Sequence, residues 1–264
     1  MAPKVSIITI NYNNAKGLEQ TIASVLSQTY KNFEFILIDG ASNDGSVELI
    51  EANRDKFTYC ISEKDTGIYN AMNKGIRVSS GQYLLFLNSG DLLTQASALH
   101  DFIHHEKFVG DIIYGDYKFK EGAKVYADQL SPIYFMRTSL PHQSTFFKKE
   151  VFEQMGLYDE TYSMGGDRAY FIKCFMSEQF KFTHVNYFLT YFDLEGLSNS
   201  KEHRKRKNEE DERMFREYFG VHYEDYKKQL ELEQELKQTK KRTVEGIAKR
   251  IKHKIQKLWK HRRW

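Results

Sequence analysis

Residues 83–91, YLLFLNSGD, decide how this chain is read: five mostly apolar residues run into a polar turn that ends in a single carboxylate. The run is too short for a helix, and Gly81 on one side and Ser89-Gly90 on the other close it, so it reads as a buried strand. Asp91 therefore stands at a strand exit. In an open α/β sheet the loops at the carboxyl ends of the strands form the ligand crevice, where a carboxylate can hold a cation or a ribose. The competing reading is a helix cap, with the helix starting near Leu92.

Upstream, residues 5–10 (VSIITI) form a β-branched run closed by turn formers at 11–14, and Asn14 can cap a helix reaching about Ser27. Leu18, Ile22, Val25 and Leu26 make one apolar stripe on that helix. A second strand spans 33–38 (FEFILI), followed by the glycine-punctuated loop 39–45 (DGASNDG) and a helix at 46–54. A short strand at 59–62, a loop at 63–67 and a helix at 68–78 repeat the rhythm, which demands a parallel sheet with right-handed crossovers.

Downstream, a helix is expected near 95–106. Strands at 111–120 and 124–128, joined across Glu121-Gly122, read as a hairpin that makes the second half of the sheet mixed. After residues 141–147 (PHQSTFF) come a helix at 149–155, the loop 163–167 (SMGGD), a helix at 168–177 and a last strand at 182–191. From Lys201 the sequence turns charge-dense and proline-free, favouring helix. The expected domains are 1–200, a catalytic domain; 201–239, a charged helical extension; and 240–264, a basic amphipathic helix.

The 264 residues, 41% hydrophobic and 14% aromatic, suffice for one sizeable core. The net charge of +3 conceals an asymmetry: residues 240–264 hold 11 of the 39 Lys and Arg and one of the 36 acidic residues, leaving 28 basic against 35 acidic before them. Val244, Ile247, Ala248, Ile251, Ile255, Leu258 and Trp259 lie on one stripe of that terminal helix, with lysines and arginines on the remaining arc and Trp264 at the end. Such a helix suits an anionic membrane surface, and nucleic acid or a partner helix could use the same pattern. Cys60 and Cys174 are too few for a disulfide framework and indicate a reduced cytosol, and no stretch approaches the roughly 18 apolar residues of a membrane span. The expectation is a cytoplasmic protein that meets the inner face of the cell membrane from the side.

No G-x-G-x-x-G follows a strand and no phosphate-binding G-x-x-x-x-G-K-[ST] occurs, so a nucleotide pocket here must use acidic side chains. His100 and His104 imitate the spacing of a zinc-binding helix, but Asp101 is too short for its glutamate and no third ligand is evident. The ordered set VSIIT at 5–9, DGASNDG at 39–45, EKDTGIYNAMNKGI at 63–76, NSGD at 88–91, DIIYGD at 111–116, His142-Gln143 and Gly166-Asp167 resembles family 2 glycosyltransferases, over roughly residues 3–198.

That resemblance implies a type-A glycosyltransferase fold: one α/β domain with a mostly parallel mixed sheet, Rossmann-like in its N-terminal half, followed by a helical tail. It further implies an inverting, metal-dependent enzyme that moves one sugar from a nucleotide-diphosphate donor, with UDP expected. The implied acceptor is a glycan or lipid-linked glycan of bacterial surface polysaccharide. By position, Thr9 and Asp39 match residues contacting the base and ribose, and Asp65 matches a further carboxylate on the nucleotide side. Asn88, Gly90 and Asp91 occupy the donor and metal motif. Asp91 matches its last carboxylate, which binds Mn²⁺ or Mg²⁺; relatives often carry Asp-Asp where this chain has Gly90-Asp91, and Asn88 replaces a frequent Asp. Asp167 matches the base that deprotonates the acceptor, while His142 and Gln143 lie on the acceptor side, His142 being the alternative base. The rival readings are a nucleotidyltransferase, whose glycine-rich basic loop is missing near the N-terminus, and a non-catalytic sugar-nucleotide or nucleic-acid binding module, the nucleic-acid partner being the weaker.

Overall fold

A computed structural model describes residues 2–192 and 201–261, the side chains of 201–206 and 254–261 excepted. Four strands build the N-terminal half: β1 (Val5–Asn11), β2 (Phe33–Asp39), β3 (Tyr59–Ser62) and β4 (Tyr83–Phe86). They pair in parallel in the order β3-β2-β1-β4. The chain moves outward from β1 to β2 and β3, then returns to β1's other side, so the strand order reverses at β1. That reversal opens a crevice beyond the carboxyl ends of the strands.

The sheet continues through β8 (Thr145–Lys148), β6 (Ile112–Phe119), β9 (Phe182–Tyr191) and the two-residue β5 (Leu92–Leu93), while β7 (Gly122–Lys124) pairs on β6. β8 runs antiparallel to both β4 and β6, whereas β6 and β9 are parallel. The expected mixed second half is therefore present.

Helix α1 (Ala15–Leu26) has Asn14 as its cap, whose Oδ1 accepts from Gly17 N at 3.1 Å. Leu18, Ile22 and Val25 pack with Val5, Ile7 and Leu37 in one core. On the opposite face, helix α3 (Ile68–Val78) lies so close to β1 that a Cβ on Gly75 would come 2.5 Å from Ile8 Cγ2. Helix α2 (Ser46–Ala52) follows β2, and α4 (Ala98–Ile103), α5 (Pro132–Arg137), α6 (Lys149–Met155) and α7 (Gly166–Met176) complete the body.

Several boundaries differ from the sequence reading, three of them for an identifiable reason. No helix starts at Leu92: Leu92 and Leu93 pair with Tyr191 and Thr190 as β5. Helix α4 starts at Ala98 rather than 95, because the carbonyls of Gln95 and Ala96 accept from Gln28 Nε2 and Thr29 N of the neighbouring segment. The hairpin turns at Lys120-Glu121, since Phe119 pairs with Gly122, and its second strand stops at Lys124. Beyond it Tyr126 N donates to the Asp116 carboxylate at 2.9 Å, so a side chain replaces the ladder. Helix α7 begins at Gly166, two residues before the expected 168.

The chain divides into two compact units, Met1–Tyr218 and Phe219–Trp264. Helix α8 (Lys201–Phe219) contributes buried Glu210, Met214 and Phe215 to the first. The second contains the 39-residue helix α9 (Tyr223–His261). No described helix is long and apolar enough to cross a membrane.

Candidate active site

Strand register sets the first part of the site. Asn11, Asp39 and Ser62 are mutually registered at the carboxyl ends of β1, β2 and β3. Asp39 is wholly buried, and its carboxylate accepts from Asn11 Nδ2 (2.7 Å), Ser42 Oγ (2.6 Å), Ser42 N (2.9 Å) and Ser62 Oγ (2.6 Å). Burial pushes its pKa up, but these donors outweigh it and hold the carboxyl below its ordinary value. With four donors the acceptor capacity of a carboxylate is filled from within the chain.

Asp65 lies against this loop. Its Oδ1 accepts from Gly67 N at 3.0 Å, and a Cβ on Gly40 would stand 2.6 Å from Asp65 Oδ2 and 3.1 Å from Tyr12 Cδ2. Only glycine at 40 lets the β2 loop approach both. Tyr12 is 62% exposed beside this junction, a place that the local sequence pattern does not mark. An aromatic face held open at a strand end is a stacking platform. Thr9, by contrast, is buried in the body of β1, and its hydroxyl has no hydrogen-bond partner in the structure. Like Asp39, it is shielded from solvent.

The turn at 88–91 is held from both ends. Asp91 N donates to Asn88 O at 2.9 Å, and Asn88 N donates to Asp91 Oδ2 at 3.0 Å. Thr21 of α1 donates to Asp91 O at 3.0 Å and accepts from Gly90 N at 2.9 Å. Gly90 sits at φ +105°, a conformation that strains any residue with a side chain. That conformation accounts for a glycine here in place of a second acid. The cap reading of Asp91 falls away, because its side chain bonds backward into its own turn. Among the described residues no group of three His, Cys, Asp or Glu is arranged to hold a metal. The turn nevertheless offers hard oxygen donors: Asn88 Oδ1 is buried without a hydrogen-bond partner, on the same turn as the Asp91 carboxylate. This chemistry fits Mn²⁺ or Mg²⁺ as a partial site.

Asp167 is brought in by α3. Tyr69 Oη donates to Asp167 Oδ1 at 3.0 Å, and the ring lies so near α7 that a Cβ on Gly166 would meet it at 2.7 Å. Burial and the neighbouring Asp167 push the Tyr69 phenol well above its ordinary pKa, keeping it a donor. The cap of α7 is Gly165, so Asp167 is a first-turn residue rather than a cap. Tyr69 lies within the 63–76 motif, but its contact spans 98 positions and no local pattern reveals it.

His142 and Gln143 are buried beside β4. His142 Nε2 lies 2.8 Å from Tyr158 Oη, with Phe86 at 4.8 Å between ring centres. Burial holds the imidazole below its ordinary pKa against the opposing pull of Asp167. The imidazole is enclosed and already engaged with a phenol, whereas Asp167 is partly exposed.

The sequence model of the family described as "Glycosyl transferase family 2" matches residues 6–165. A "PGL/p-HBAD biosynthesis glycosyltransferase" of Mycobacterium bovis (strain BCG / Pasteur 1173P2) is 30% identical over 223 residues, covering 78% of this chain and 84% of that protein. Among solved structures, S. aureus TarS 1-349 in complex with UDP-GlcNAc is similar with a TM-score of 0.60 at 18% identity, over 72% of this chain and 58% of that one. The mannosyltransferase PcManGT from Pyrobaculum calidifontis, in complex with GDP-Man and Mn2+, gives a TM-score of 0.56 at 17% identity, over 73% of this chain and 57% of that one. The chain thus spans under two thirds of either solved structure.

Proposed function

We propose, on the premise that this chain belongs to glycosyl transferase family 2, that it transfers a single sugar with inversion from a nucleotide-diphosphate donor, UDP-linked by preference, to a hydroxyl of a glycan or lipid-linked glycan. The observation that carries the reading is the Tyr69–Asp167 hydrogen bond. It ties a carboxylate to the same helix whose leading loop carries Asp65. In this reading the base stacks on Tyr12, with Asp65 and the Asp39 loop walling the pocket, Asp39 acting through the serines and asparagine it holds. Thr9 supports that wall from behind.

Asn88 and Asp91 would hold Mn²⁺ or Mg²⁺ against the donor diphosphate. Such a cation stabilises the charge that develops on the leaving phosphate oxygen, by several kcal/mol. Tyr69 occupies Asp167 Oδ1, leaving Oδ2 to take the acceptor proton. The acceptor oxygen then forms its bond to the anomeric carbon as the bond from that carbon to the phosphate oxygen breaks, and the nucleoside diphosphate departs with both bonding electrons. No enzyme nucleophile is needed for a single in-line displacement. His142 and Gln143 lie behind the acceptor side, where His142 buttresses Tyr158.

The mycobacterial relative is named a PGL/p-HBAD biosynthesis glycosyltransferase, which supports sugar transfer here; the lipid-linked acceptor is part of the same proposal. We extend the reading to place: cytoplasmic, at the inner face of the membrane, with α9 lying on anionic lipid.

A panel of UDP- and GDP-sugars with Mn²⁺, read first by thermal shift and then by donor consumption, identifies the donor, since selective binding raises apparent stability. Asp91→Ala should abolish the Mn²⁺-dependent part of that shift in a folded protein, and Asp167→Asn should keep donor binding while turnover drops by roughly 100-fold or more. Undiminished metal dependence in the first variant, or near-parent turnover in the second, would overturn the corresponding assignment.

A further inference from the structure

The loop leading to Asp167 has its own anchor, and it comes from a segment whose composition suggests only solvated helix. Glu210 of α8 is 8% exposed, and its carboxylate accepts from Ser163 N (2.8 Å), Ser163 Oγ (2.6 Å), Met164 N (3.2 Å) and Gly165 N (3.2 Å). Three successive backbone N–H groups thus turn toward one anion, a nest of the kind that ordinarily receives a phosphate or carboxylate. Gly165, the cap residue of α7, has no side chain with which to do this itself.

The next residue of α8 holds the other side. Asp211 Oδ2 pairs with Arg168 Nη1 at 3.0 Å, and the Arg168 guanidinium lies 4.8 Å from the Phe215 ring centre. Arg213 covers Tyr162 at 4.0 Å. Consecutive acids of one helix therefore grip the residues on both sides of Asp167. Between those grips lie Gly166 and Asp167, and Gly166 supplies little stiffness of its own.

We propose that Glu210 is a positioning residue for Asp167, its carboxylate fixing the backbone of residues 163–165 that delivers the candidate base to the acceptor. This rests on the reading of Asp167 as base given above. The charge is needed as well as the shape: a carboxylate offers only acceptors to these four donors, whereas an amide in its place must turn its NH₂ toward some of them. The donors outweigh burial and hold the Glu210 carboxyl below its ordinary pKa, in keeping with an anion at neutral pH.

The test uses the full chain, Mn²⁺ and the nucleotide sugar consumed in the panel above. Glu210→Gln should lower kcat roughly tenfold, as a small misplacement of a reacting group does, while KM for the donor stays within twofold. Amide exchange should quicken at Ser163, Met164 and Gly165 without change in β1 and β4. In an Asp167→Asn background the same substitution should cost nothing further, because there is no base left to position. A kcat within twofold of the parent, or an equal loss in both backgrounds, overturns the proposal. Should Glu210→Gln fail to fold, Ser163→Ala removes one of the four donors and decides the matter: a fall in kcat of about threefold supports the role, and an unchanged kcat overturns it. If Asp167→Asn alone retains turnover, it is the base assignment that fails, and the two failures are told apart.

Discussion

At the carboxyl end of β2, Asp39 shows how a single buried side chain can set the geometry of a loop. Its two oxygens collect donors from β1, from its own loop and from β3. Each of those donors would be left wanting if the carboxylate were lost, and an unmet buried donor costs about 1 to 3 kcal/mol. Asp39→Asn preserves shape but must set its NH₂ against one pair of donors. We expect a loss of about 2 kcal/mol in urea unfolding, with weaker donor binding because the 40–45 loop loses its tether. A urea midpoint equal to the parent's would mean that the serine hydroxyls reorient freely and that Asp39 does not organise the loop.

Where β6 and β9 run side by side, their register slips on both sides of Asp116. There the Asp116 carboxylate meets His184 Nε2 at 2.9 Å, while the ring's Nδ1 meets Asp128 Oδ1 at 2.5 Å. Tyr114 stacks on the imidazole at 5.2 Å, and Lys107 lies 3.9 Å from Asp128. Burial disfavours a charged His184, but the hydrogen bonds and charges of Asp116 and Asp128 prevail and raise its pKa above 6.5. The charged ring is therefore favoured by the fold more than by the unfolded chain. The stability it provides is complete below about pH 6.5 and is lost as pH climbs through the folded value. Unfolding free energy measured between pH 6 and pH 9 should accordingly decline, and His184→Gln should flatten that decline. An identical slope in the variant would show that other groups set the pH dependence.

The whole chain consists of two compact units, and the second carries a different physical signature from the first. On α9, Val244, Ile247 and Ile251 are 64%, 51% and 53% exposed, stepping by three and four positions along one side. Ala248 of the predicted stripe is exposed as well, while the side chains of Ile255, Leu258 and Trp259 lie outside the described residues, as does Trp264. Each Lys or Arg near an anionic leaflet contributes about 1 kcal/mol, so the basic end should hold vesicles rich in phosphatidylglycerol and release them at high salt. Co-sedimentation of the full chain against one ending at Thr239 checks this. Equal binding by the two, or no preference for anionic over neutral vesicles, would remove the membrane reading.

By itself the sequence determined the parallel N-terminal half, the mixed second half and the family, because those depend on signals carried within short windows. The β-branched run in residues 5–10, the stripe of Leu18, Ile22 and Val25, and the NSGD turn each need only their neighbours to be read. The strand-end places of Asp39 and Asp91 follow from the same windows. What only the tertiary structure decided is which distant groups meet. Asp39 is saturated because strand register aligns Asn11 and Ser62 with it; Asp167 is held by Tyr69 because α3 packs against the start of α7; and the charge-dense stretch after Lys201 sends Glu210 into a nest of N–H groups. Composition sees a charged residue as solvated, since it is blind to the few backbone donors, remote in sequence, that make its burial favourable.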